Sequence, residues 1–148
     1  MKKTGILNAE LMYELTRMRH TDKIVICDAG FPVPEGKKLV DLSLVAGLPT
    51  VSQVFKAICN EIVIESIPLP TGFDRVRGDF YQELKAKFLN HEFTEMPSQE
   101  MFKRVYDPDV KLFIRTGDVQ PCGNMLLSSA SGVPRAVPKW DVSFDSVI

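Results

Sequence analysis

Three short apolar runs constrain this chain more than any other feature: Lys23-Ile24-Val25-Ile26-Cys27, Val110-Lys111-Leu112-Phe113-Ile114-Arg115 and Met125-Leu126-Leu127. Each is too short for a helix and rich in residues that suit a pleated surface. The first is apolar almost throughout, as in a strand buried on both faces. Such strands need cover, and the sequence between them supplies it at helical spacing. Asn8 predicts the cap of a helix over Ala9–Arg19, where Leu11, Leu15 and Met18 form one stripe. Thr50 predicts the cap of a second helix, with Val51, Val54, Phe55 and Ile58 on its buried side. A third, Asp79–Leu89, carries Phe80, Leu84 and Phe88, and Ser98 predicts the cap of a short helix holding Met101 and Phe102. Glu61–Ile67 alternates as a strand does, and Lys38–Leu44 does so weakly. Proline and glycine force loops at Asp28–Pro34, Gly47–Thr50, Pro68–Gly72 and Thr116–Gly123. Helices alternating with short apolar strands predict an α/β fold: a single domain with a mainly parallel β-sheet flanked by helices. From about Ser128 the sequence predicts an irregular tail, broken by Gly132, Pro134 and Pro138 and anchored by Trp140 and Phe144.

The 148 residues fit one domain, able to bury a core without metals or disulfides. Net charge is −1 with no basic stripe, which argues against nucleic acid as a partner. No apolar run approaches a membrane span, and Met1-Lys2-Lys3-Thr4 is not followed by the apolar region of a signal peptide. A cytoplasmic protein is expected. Cys27, Cys59 and Cys122 form no CxxC pair, and His20 and His91 are the only histidines, so no metal site is expected. The cysteines read as reduced thiols, two of them in the core. His91 reads as a solvated residue at a helix end, and Asp107-Pro108-Asp109 as a turn.

Two constellations carry chemistry. His20 stands just before the first strand and Asp28 at its C-terminal end, where ligands gather in open α/β sheets. An imidazole exchanges protons near neutrality, and a carboxylate can orient it or bind a hydroxyl. Connectivity does not forbid both from lining one pocket, with one supplied by a neighbouring subunit as an option. The second constellation, Arg115-Thr116-Gly117-Asp118-Val119-Gln120-Pro121-Cys122-Gly123-Asn124, is dense in polar groups; it suits a loop presented to a polyol, or a plain hairpin or crossover turn. No GxxxxGK[ST], GxGxxG or GxSxG occurs.

At these residues the sequence resembles the ribose pyranase and fucose mutarotase family. The likeness is carried by Lys2-Lys3, Gly5, Leu7-Asn8, His20-Thr21-Asp22, Val25 to Pro34, Gly47-Leu48-Pro49, Gln53-Val54 and Asn60-Glu61. Further on it includes Glu100-Met101-Phe102-Lys103, Ile114 to Asp118 and Pro121 to Leu127. It spans about Met1 to Leu127 and thins between Ile67 and Pro97. The resemblance implies an isomerase that interconverts cyclic forms of a free monosaccharide without metal or organic cofactor. It implies that His20 donates the proton and that Asp28, Lys103 and Asn124 bind the sugar. It implies a ring-like homo-oligomer, often a decamer, with a site completed by an adjacent subunit. Two positions depart from the ribose pyranase pattern: Gln99 stands where a histidine is usual and Cys122 where a tyrosine is usual. Glutamine still hydrogen-bonds a hydroxyl but shuttles no proton near neutrality. Gln99 and Cys122 therefore join the expected substrate-binding set, with ribose and fucose both open as substrates. A non-catalytic sugar-binding or regulatory module of a sugar-uptake system is the competing expectation, and a structural component of such a system a third.

Opening a hemiacetal ring moves two protons, one onto the ring oxygen and one off the anomeric hydroxyl. His20 is the expected acid and base. Asp28 is expected to fix its tautomer or grip a sugar hydroxyl.

Overall fold

The computed structural model describes residues 1–89, 91–131, 140 and 142. Along the chain run α1 (Ala9–Arg17), β1 (Lys23–Cys27), β2 (Leu39–Asp41), α2 (Val51–Cys59), β3 (Ile64–Ser66), β4 (Leu69–Pro70), α3 (Phe73–Val76), α4 (Gly78–Lys87), β5 (Glu95–Met96), α5 (Ser98–Arg104), β6 (Val110–Arg115) and β7 (Met125–Ser129). A five-stranded sheet has the order β2-β6-β1-β7-β3. β1 and β2 both run parallel to β6, while β7 lies antiparallel between β1 and β3. The sheet is therefore mixed but mostly parallel, with helices on both faces.

Strand pleating assigns the two faces. Ile24 and Ile26 of β1, Leu112 and Ile114 of β6, and Met125 and Leu127 of β7 point into a large core with α1, α2 and α4. Val25, Cys27, Phe113 and Leu126 point the other way, into a smaller core closed by Phe31, Met96, Met101 and Val105. A strand covered on both sides has no polar face, which is why β1 reads as an unbroken apolar run. The caps at Asn8 and Thr50 form as expected, the second as a full capping box with Gln53. Burial raises the Cys27 thiol to about 12 and pushes Cys59 up as well, so neither is a reactive thiolate.

Several expectations need correction. Ser98 does not cap α5: Pro97 holds that position, and Ser98 is already helical. Pro68–Gly72 is not only a loop; Leu69 and Pro70 pair in parallel with Glu95 and Met96, a long-range pairing with no local signal. The tail starts later than Ser128, since β7 runs to Ser129. Gly132, Pro134, Pro138 and Phe144 lie outside the described residues. Trp140 is buried: its ring meets Phe55 edge-on at 6.5 Å, and its backbone exchanges two hydrogen bonds with the Asn60 side chain. His91 is not simply solvated, because its ring sits 4.8 Å from that of Phe93.

Candidate active site

The decisive topological fact is that β1 lies between β6 and β7. The segment Thr116–Asn124 is therefore no hairpin. It carries the chain from β6 over the C-terminal end of β1 and back down as β7. The crossing is fastened to β1 by Thr116, whose N–H and hydroxyl both donate to Cys27 O at 2.9 Å, and by Ala29 N–H donating to Asp118 O at 2.9 Å. It delivers Asn124 onto Asp28. Asn124 Nδ2 donates to Asp28 Oδ2 at 2.9 Å, and Asp28 N–H donates to Asn124 Oδ1 at 3.0 Å. Gly30 N–H closes a local turn on Asp28 Oδ1 at 2.9 Å. A carboxylate has about four acceptor positions and an amide nitrogen two protons, so the pair retains acceptor capacity on Asp28 and one N–H on Asn124. Both residues are half-buried. A half-buried acceptor beside a donor matches two neighbouring hydroxyls of a sugar.

The rigidity of this crossing comes from an ion pair that sequence reasoning missed. Arg77, between α3 and α4, clasps Asp118 in bidentate fashion at 2.8 and 3.1 Å, with both side chains about 95% buried. The same guanidinium donates to Gln120 O and Pro121 O. Asp118 also accepts from Val51 N–H at the start of α2, at 3.0 Å, and from Gln120 N–H. Burial alone would raise the Asp118 carboxyl; Arg77 and the two backbone donors outweigh it and hold it below its ordinary 3.8. No local pattern announces Arg77, whose partner lies 41 residues away.

Gly117 is fixed by space rather than by its dihedral angle. A Cβ there would lie 2.2 Å from Leu48 O and 2.4 Å from Val45 O, and its N–H and C=O bond the same 44–49 segment. Backbone atoms cannot step aside as a flexible side chain can. Gly117→Ala is expected to cost about 1–3 kcal/mol, typical of overpacking. It should also loosen the grip of Asn124 on Asp28. Chemical denaturation together with sugar titration checks both.

The remaining expected residues fall into two groups. Cys122 is half-buried in the crossing, in left-handed backbone at φ 56°, with its Sγ 3.8 Å from Thr71 O beside β4. Gln99 and Lys103 are exposed one turn apart on α5. Phe102 stacks on Phe31 at 5.3 Å, which draws α5 toward the Asp28 end of the sheet. Phe31 itself is only 3% exposed and belongs to the smaller core.

His20 stands apart. It lies before β1 and Asp28 lies after it; the five residues of β1 alone span about 17 Å. Within one chain the two cannot line a single pocket, and Asp28 cannot orient His20. The carboxylate beside the imidazole is Glu65, another residue that sequence reasoning missed, with Oε2 3.2 Å from His20 Nε2. His20 occupies the turn Arg19–Asp22, closed by Asp22 N–H donating to Arg19 O. The next residue, Thr21, is held at φ 70°. A β-branched residue in that region is a genuine outlier, and such strain costs about 1–3 kcal/mol. Thr21 and Cys122 are the only non-glycine residues with positive φ among those described. One adjoins His20 and the other lies two residues before Asn124, so the strain falls at both ends of the expected site.

A D-ribose pyranase of Photobacterium profundum is 38% identical over 136 residues, covering 87% of this chain and 97% of that protein. A D-ribose pyranase of Geobacillus thermodenitrificans is 39% identical over 137 residues, covering 87% and 96%. Among solved structures, Bacillus subtilis RbsD complexed with D-ribose superposes with a TM-score of 0.77 at 35% identity, covering 88% of this chain and 98% of that one. The fucose mutarotase of Streptococcus pneumoniae in complex with L-fucose shares the fold, with a TM-score of 0.69 at 18% identity, covering 86% and 95%. Residues 1–133 match the RbsD / FucU transport protein family, and with these relatives across nearly their whole length the chain belongs to that family.

Proposed function

We propose that this protein is a cofactor-independent isomerase that interconverts the cyclic forms of a free monosaccharide, with D-ribose the first candidate substrate. The observation that carries this reading is the half-buried Asp28–Asn124 pair, which sets an acceptor beside a donor at the C-terminal edge of the sheet. The two ribose pyranases and the ribose-bound relative support the choice of sugar. Lys103 and Gln99 on α5 and the turn at Cys122 hold further hydroxyls around that pair. Gln99 carries no proton at neutral pH, so proton transfer falls to His20.

Because His20 and Asp28 sit at opposite ends of β1, the site is built from two copies of the chain, with His20 of one reaching the pair of its neighbour. The exposed apolar residues Leu44, Val45, Leu48 and Val119, near the crossing, support self-association. A closed ring of such contacts, a decamer of stacked pentamers, completes every site. The free thiols support a cytoplasmic setting.

In the reaction, protonated His20 gives its proton to the ring oxygen as the C1–O bond breaks, and the anomeric hydroxyl releases its proton to water. The open-chain aldehyde then rotates, a hydroxyl attacks C1, and the same two proton movements run in reverse. Exchange NMR on D-ribose, L-fucose and D-galactose tests the reading. Broadened or exchange-linked anomeric signals are expected for at least ribose. Ligand contacts without faster exchange for any sugar would instead establish a binding module, the alternative that Gln99 favours.

A further inference from the structure

We propose that Glu65 is the positioning residue for His20: it holds Nε2–H of the imidazole, leaving Nδ1 as the atom that gives a proton to the sugar and takes it back. This rests on the reading of His20 as the acid and base. Three independent features converge on the pairing. Glu65 Oε2 lies 3.2 Å from His20 Nε2. Glu65 also sits where the β3–β7 register slips, between Ile64 opposite Ser129 and Ser66 opposite Ser128, and bulges of this kind re-aim side chains beside active sites. The left-handed Thr21 sets the other half, its N–H donating to Ser129 O while Ser129 N–H donates to Asp22 O. The strained turn and the bulge thus hang on the same residue of β7.

Among the described residues, the other charged groups on the neighbouring segments are already engaged. The Arg19 guanidinium donates to Thr16 O and Met18 O, Asp22 accepts from Arg19 N–H, and Lys23 pairs with Asp109. Among the described residues, Glu65 is the carboxylate that meets the imidazole. The pair is 54% and 40% exposed, and exposed pairs contribute little to stability. Strain and a bulge spent on such a pair point to orientation of a reacting group. With both ring nitrogens protonated, Nδ1–H protonates the ring oxygen, Nε2–H stays on Glu65, and the emptied Nδ1 accepts the proton when the ring closes.

The test is exchange NMR at limiting and saturating sugar on the intact oligomer. Glu65→Ala should lower the saturated rate about 10-fold with the half-saturating sugar concentration unchanged within about twofold. Glu65→Gln, whose amide oxygen accepts the same N–H, should recover most of that loss. In a 15N imidazole spectrum of the neutral ring, wild type should show His20 protonated at Nε2, and Glu65→Lys, which offers a donor, should move the proton to Nδ1. The proposal is overturned if Glu65→Ala retains the full rate while His20→Ala is inactive, an outcome that leaves the reading of His20 standing. It is equally overturned if Glu65→Ala lowers the melting temperature and weakens sugar binding without changing the saturated rate. Full exchange in His20→Ala would reject the role of His20 and overturn the proposal with it, whatever tautomer the wild-type 15N spectrum shows.

Discussion

Replacing Arg77 by methionine should lower the unfolding free energy by about 3–5 kcal/mol, the usual cost of leaving one partner of a buried ion pair alone. The arginine is 7% exposed and Asp118 3%, so water cannot replace the lost guanidinium. For a chain of this size the melting temperature should drop by roughly 6–20 °C. The deficit should depend on pH with a definite sign. In the wild type the Asp118 carboxyl is held below its ordinary 3.8, so its contribution is complete above that value and disappears as pH falls through the depressed value. Without Arg77 only the two backbone donors oppose the burial that disfavours ionisation, so the orphaned carboxyl takes up a proton more readily than in the wild type. The gap between wild type and variant should therefore be widest near neutrality and close in acid below about pH 4. The double variant Arg77→Met, Asp118→Leu should recover much of the loss, because a buried ion pair is not itself worth much more than apolar packing. Urea denaturation across pH 3–7 measures all three. A loss under about 1 kcal/mol at pH 7 would mean that the pair does not fasten the crossing.

Replacing His20 by alanine should do the opposite: leave stability within about 0.5 kcal/mol and cut sugar exchange by roughly 10²–10⁴-fold. The side chain is more than half exposed, so little packing is lost. The range is what general acid–base help is typically worth, and mutarotation in water supplies the remaining rate. The proposed two-copy site adds a sharper test. His20→Ala and Asp28→Asn proteins should each be nearly inactive alone. Unfolded and refolded together in equal amounts, they should regain about a quarter of wild-type activity, since a quarter of the randomly formed interfaces unite an intact His20 with an intact Asp28. Absence of recovery despite mixed assembly would show that the two groups do not share a site across copies.

Some of this was legible in the chain itself. Asn8, Thr50 and the apolar run Lys23–Cys27 carry their structure locally, because a cap needs only the next three residues and a doubly covered strand needs only to be apolar. Asp28 and Asn124 were both expected as sugar ligands, although nothing in either neighbourhood says that they touch. Glu65 reads as one solvent-facing residue of an alternating strand, and Arg77 as one charge among many on a helical surface. Trp140 reads as an anchor of the tail, but large aromatics flanked by loop residues, Phe31 and Trp140 alike, give no hint of what covers them, and both are buried.

The residues alone determined most of the element types, the caps at Asn8 and Thr50 and the α/β class, since each follows from spacing over a few positions. Tertiary structure decided what meets what. It inserted β1 between β6 and β7, and that single ordering draws Asn124 onto Asp28, buries Arg77 against Asp118 and leaves His20 with Glu65 at the far end. The reason is physical: strand order is chosen by the burial of whole faces, a sum over residues 40 to 100 positions apart, and no local pattern encodes that sum.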